Sequence, residues 1–165
     1  MKRMSSTTSA RTVAAVLAVD GLLHVYWATG QTWPARDTGR LSQLVLNTQV
    51  PFTPQGLIPL AGLLGGSAAL LLVRAGRLPG LGRRLPAALP RWAAHAVTGG
   101  LLLRGMVGLV WVTGLGADPR DTFYWLNLLL YTPLCLALAA VARMVATAPE
   151  PARGPALPAG SAPAR

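Results

Sequence analysis

Asp20, His24 and Trp27 are spaced four and three residues apart, which stacks them on one face of a helix. A carboxylate beside an imidazole is material for a proton relay or for a polar binding wall. Tyr124, Asn127, Tyr131 and Cys135 form a second stripe at the same spacing, and Arg104 stands between the two in an apolar stretch. These residues lie inside long hydrophobic runs. A charge at mid-membrane costs about 2.5–3.5 kcal/mol, and one Leu or Val offsets only about 0.3–0.5 kcal/mol. The least costly arrangement pairs the Asp20 carboxylate with the Arg104 guanidinium and gives His24, Asn127 and Tyr131 the remaining hydrogen bonds. The expected polar cluster is therefore Asp20, His24, Trp27, Arg104, Asn127 and Tyr131. It either binds a ligand or moves a proton, or it only sets which helices meet; no residue is assigned a catalytic role.

Four apolar runs must position these groups: 12–30, 56–73, 92–115 and 122–142. Each has about the 20 residues that span a 30 Å hydrocarbon core. Only 12% of the chain is charged and 52% is hydrophobic, too few charges to cover a soluble globule. The fold class expected is an all-α integral membrane bundle of four transmembrane helices at 12–146. It is preceded by a cytoplasmic N-terminus at 1–11 and followed by a disordered Pro/Ala-rich tail at 147–165. Asp20 breaks the first run after eight residues and apolar character then resumes, so this run reads as a retained helix rather than a cleaved leader.

Basic residues orient the bundle. The N-terminus, the second connection and the tail hold eleven, whereas the first and third connections hold Arg36, Arg40 and Arg120. The richer segments face the cytoplasm, so both termini do. The protein is expected in the cell membrane as a multi-pass protein. In the second connection Arg74, Arg77, Arg83, Arg84 and Arg91 have no acidic neighbour and are expected to lie against anionic headgroups. The net charge of +10 does not indicate nucleic acid, because no basic residue is interleaved with aromatics in a base-stacking stripe. With one cysteine there is no internal disulfide, and no Cys/His spacing suggests a metal or a cofactor.

The first connection, 31–55, is long. Leu41, Leu44 and Val45 have helical spacing, which makes a short interfacial helix or a mobile loop equal alternatives, with Pro51 and Pro54 as the stop. Gly62 with Gly66, Ala61 with Gly65, and Ala96 with Gly100 are small pairs four apart, expected to pack helices within the bundle; a homo-oligomer stays open. Pro133 withholds a backbone donor and predicts a kink below Tyr131. Phosphate-binding, nucleophile-elbow and paired-histidine motifs are absent from the sequence, and His95 reads as an interfacial hydrogen-bonding residue.

Two stretches carry a family likeness: Asp20-Gly-Leu-Leu-His24-Val-Tyr26-Trp27-Ala-Thr-Gly30 and Leu130-Tyr131-Thr132-Pro133-Leu134-Cys135-Leu136. With Leu103-Arg104-Gly105, the chain from Val13 to Ala142 resembles the small bacterial membrane proteins catalogued as domain of unknown function 3995. That family has a His-x-Tyr-Trp-Ala-x-Gly signature in its first helix, an Arg after leucines in its third and Tyr-Ser-Pro-Leu-Cys in its last. Thr132 keeps the hydroxyl of the usual Ser, while Asn127 stands where Asp is often found, against proton transfer at that position. The resemblance implies a four-helix membrane fold and no activity. The leading expectation is a non-enzymatic protein whose polar pocket takes a small or lipid-like ligand or a partner helix. The alternative is an enzyme or proton-coupled carrier subunit at the same cluster.

Overall fold

The computed structural model describes residues 6–149. These residues are helical without a strand: α1 (Ser6–Ala28), α2 (Thr38–Leu46), α3 (Pro54–Arg74), a short α4 (Pro79–Gly82), α5 (Ala88–Val112) and α6 (Thr122–Leu126). A π-helical turn (Asn127–Tyr131) then leads into α7 (Thr132–Ala146). From α6 through α7 the chain is one rod, Thr122–Ala146, and this rod with α1, α3 and α5 makes four helices long and apolar enough to cross a membrane. The first three long helices open before their apolar stretches, while α1 and α5 stop at Ala28 and Val112, short of the expected 30 and 115. Thus α1 opens at Ser6 rather than residue 12, because backbone hydrogen bonding continues through Ser and Thr that hydropathy excludes. Most of the expected Pro/Ala-rich tail, from 150 onward, lies outside the described residues.

Each long helix has two neighbours. α1 packs most extensively on α3, and α5 on α7, while α3–α5 and α1–α7 contacts close the ring and leave α1 and α5 on its diagonal. Small side chains allow this. Ala10, Val13, Ala14 and Leu17 of α1 meet Ala68 and Leu71 of α3 and Leu138, Ala142 and Val145 of α7 in one buried cluster. Gly21 brings α1 against α3, where an added Cβ would sit 3.3 Å from the Ala61 carbonyl oxygen. Of the predicted small pairs, Ala61 with Gly65 does this work, the Gly65 backbone nitrogen lying 3.8 Å from the same Cβ, and the other two pairs do not. Gly62, Gly66, Ala96 and Gly100 are exposed, and a Cβ on any of the three glycines would meet nothing within 4 Å. Spacing four apart defines a small-residue stripe but not the side of the helix on which a neighbour stands.

The outward faces are apolar. Leu22, Leu63, Leu103 and Leu129, one from each long helix, are 66–70% exposed. Such a surface invites aggregation in water and matches hydrocarbon in a bilayer. The chain is a four-helix, multi-pass membrane protein by this measure.

Contacts mark the two ends of the bundle. At the terminal end Ser9 Oγ donates to Met144 Sδ at 3.8 Å, and buried Arg74 donates to the Ala148 carbonyl. Arg74 therefore leaves the set of arginines read as headgroup ligands: its guanidinium turns inward onto the end of α7, where carbonyls lack helical partners. At the far end the 31–53 connection is structured. Asp37 caps α2 by accepting from the Arg40 backbone N–H at 2.8 Å. Leu41 and Ser42 of α2 are buried, and Ser42 Oγ donates to the Thr48 carbonyl at 2.6 Å. The stop is Asn47 in the left-handed region, φ 57°, not Pro51 or Pro54; Pro54 opens α3 as its first residue. Asn47 Nδ2 also donates to the Gly116 carbonyl at 2.6 Å and ties α2 to the connection after α5.

Candidate functional site

Asp20 stands eight residues before the end of α1 and Arg104 eight before the end of α5, each ~12 Å below the far end at 1.5 Å per residue. Tyr131, nine residues into the descending rod, reaches a similar depth. Asp20, Arg104 and Tyr131 thus share one level of the bundle, but the structure divides the polar residues into two groups.

On α5 and α7 the centre is Asn127, fully buried at the start of the π turn. Its Nδ2 donates to the Gly108 carbonyl at 2.8 Å, and its Oδ1 accepts from Thr132 Oγ1 at 3.1 Å and from Arg104 Nη1 at 3.3 Å. The Arg104 guanidinium lies between two aromatic faces, 5.0 Å from the Trp111 ring centre and 5.6 Å from that of Tyr131. A desolvated cation–π contact is worth up to about 2 kcal/mol, and a hydrogen bond to a charged group about 1.5–3 kcal/mol. Together they match the cost of a guanidinium at this depth, so neutral groups suffice to hold it. Gly105 and Gly108 make the approach possible. A Cβ on Gly105 would fall 2.5 Å from Leu136 Cδ2, and one on Gly108 would collide with the Thr132 hydroxyl.

The π turn belongs to the same construction. The Thr132 N–H reaches back five residues to the Asn127 carbonyl, and Pro133 follows at once. Where a kink is expected, the chain inserts one wide turn, which relieves the clash of a proline ring with the carbonyl four residues earlier. The wide turn also rotates Asn127 relative to Cys135 by the one residue it adds.

On α1 the arrangement is separate. His24 Nδ1 donates to the Asp20 backbone carbonyl at 2.8 Å and lies 3.5 Å from its carboxylate Oδ1. His24 is the only ion-pair partner of Asp20 among the described residues. The expected Asp20–Arg104 pair is absent from them, because α1 and α5 are diagonal and the arginine closes on α7 instead. Trp27 looks toward the far end: its Nε1 donates to the Trp33 carbonyl at 2.9 Å, and its ring meets His24 and Phe52 edge-on at 5.2 and 5.7 Å.

Residues 17–142 match the model of the family described as Protein of unknown function (DUF3995). The chain belongs to this family. No curated protein and no solved structure matches it. The matched region contains both polar groups and all four long helices, α1 from Leu17 and α7 as far as Ala142. Gly105, Gly108, Thr132 and Trp111 are members of the site that stripe spacing does not single out. Trp111 could have been found seven residues after Arg104, two helical turns along the same face. Gly108 follows Arg104 by four residues on that face, but Gly100 precedes it by four, so spacing does not separate the closely packed glycine from the open one.

Proposed function

We propose that this is a non-enzymatic protein of the cell membrane, both termini cytoplasmic, whose intramembrane polar layer holds a small or lipid-like ligand with its anionic group at Arg104. One observation carries the reading. Arg104 is a permanent cation at mid-depth whose partners among the described residues, Asn127, Trp111 and Tyr131, are all neutral. A ligand carboxylate or phosphate would add the charge-assisted bonds that this guanidinium has to spare. Binding is favoured over catalysis because the acid and imidazole, Asp20 and His24, stand on the helix diagonal to the cation. The excess of arginines at the terminal end supports the orientation, with Arg77, Arg83, Arg84 and Arg91 turned to anionic headgroups.

Native mass spectrometry of the protein released from its own membrane tests this. The wild type should carry a bound lipid or metabolite that Arg104→Gln loses while its helical circular dichroism is kept. A bare wild-type chain, or an adduct that survives Arg104→Gln, sinks the idea. The Asp20–His24 contact of 3.5 Å favours a second reading, an enzyme or proton-coupled carrier subunit. Proton flux in proteoliposomes that stops in His24→Gln would support it.

A further inference from the structure

The far end of the bundle has only three basic residues, Arg36 and Arg40 on one connection and Arg120, 80 residues after Arg40, on another. Folding brings all three around one groove of about 670 Å³, between the turn before α2, the first turns of α2, and the start of α6. α2 rests on α6, which fixes the two walls relative to each other. None of the three guanidinium groups makes an ion pair or a side-chain hydrogen bond among the described residues. Two carboxylates, Asp37 and Asp121, also line the groove, and neither ion-pairs with an arginine among the described residues. Asp37 is turned onto the α2 backbone as its cap, and Asp121 lines the groove without bonding its own helix. Three unpaired guanidinium groups converging on one concavity is the arrangement that takes a tetrahedral oxyanion in bidentate fashion.

Size and depth narrow the ligand. The groove is in the range of sites for whole small molecules, so it accommodates a phosphate with its ester substituent rather than the bare ion alone. Its floor includes Leu44 and Phe123, which suit the apolar part of such an ester. Trp33, 66% exposed, precedes the groove residue Pro34, and Trp125, 51% exposed, follows Phe123 by two. Exposed tryptophans at a helix end mark headgroup level. We infer that this groove is a binding site for a phosphate ester presented at the membrane surface, held by Arg36, Arg40 and Arg120. It is independent of Arg104.

Isothermal titration of the full chain in detergent tests it, with dihexanoyl phosphatidic acid, dihexanoyl phosphatidylcholine and inorganic phosphate as probes. Phosphatidic acid should bind, and the combined change Arg36→Gln, Arg40→Gln and Arg120→Gln should weaken it at least about tenfold. These side chains make no internal bond, so the variant should melt with the wild type. Asp121→Asn should tighten binding, and Arg104→Gln should leave it unchanged. Inorganic phosphate binding as tightly, and lost in the same variant, supports the site and assigns it to a soluble ester. Failure of both anionic probes to bind the wild type, equal binding by phosphatidylcholine, or undiminished binding by the triple variant overturns it.

Discussion

The Thr132 hydroxyl occupies the space that a side chain on Gly108 would need, and from that position it donates to Asn127 Oδ1 at 3.1 Å. The glycine and the hydroxyl are thus one device: an absent Cβ on α5 lets α7 place a donor beside its buried amide. Gly108→Ala should destabilise the bundle by about 1–3 kcal/mol, the usual cost of overpacking a close contact. Thr132→Gly in the same chain should recover part of the loss, since it vacates the contested volume. Thermal unfolding in detergent of the two single variants and the double variant gives the coupling. Additive losses would mean that the two residues do not share the contact.

Among the described residues, Asn127 is the only amide in the bundle interior that serves three partners on two helices. Asn127→Leu keeps the volume and abandons the Gly108 carbonyl, the Thr132 hydroxyl and the Arg104 guanidinium. A loss of about 2–4 kcal/mol is expected, because unsatisfied buried partners cost about 1–3 kcal/mol each and more when charged, less whatever the side chains regain by turning. Asn127→Asp should lose less than Asn127→Leu, since a carboxylate still accepts from Thr132 and Arg104. Chemical denaturation of the three proteins in mixed micelles ranks them, and a reversed order would remove Arg104 from the network.

The four spans are legible in the sequence because length and apolar composition are local properties that a bilayer reads directly. The stripes are legible for a similar reason, as spacing sets the face of a single helix. Partner choice is not. Asp20 and Arg104 have opposite charges at equal depth, but a ring of four helices offers each only its two flanking neighbours, and nothing local to residue 20 or 104 encodes the order of that ring. The same gap explains Gly62 and Gly66, a small-residue stripe on the open side of α3. In the 31–55 connection, the spacing of Leu41, Leu44 and Val45 leaves a helix and a loop equal, while the stop of α2 depends on Asn47 adopting a left-handed conformation that its bond to Gly116 holds in place.

Trp27 ties α1 to the connection above it through a hydrogen bond to the Trp33 carbonyl and an edge-on ring contact with Phe52. Trp27→Phe keeps an aromatic ring and deletes the donor to the Trp33 carbonyl. The global cost should be about 0.5–1.5 kcal/mol. The local effect should be larger: amide hydrogen exchange and protease cleavage between residues 31 and 37 should rise, with α3 and α5 unchanged. Uniform acceleration across all four helices would place Trp27 in the general core instead.

Arg74 separates a structural role from membrane attraction. Its guanidinium is buried and donates to the Ala148 carbonyl beyond α7, and its Nε has no partner there. A cation at this position compensates the free carbonyls and negative pole of a helix C-terminus. Arg74→Met keeps the apolar stem and removes those interactions, so stability should fall by about 1–2 kcal/mol, with the end of α7 exchanging first. Attraction to anionic vesicles should be unaffected by that change, whereas Arg83→Gln with Arg84→Gln, both exposed, should lower it and leave the melting temperature in place. Should Arg74→Met instead reduce vesicle attraction without lowering stability, the guanidinium spends its time at the headgroups and the α7 contact is incidental.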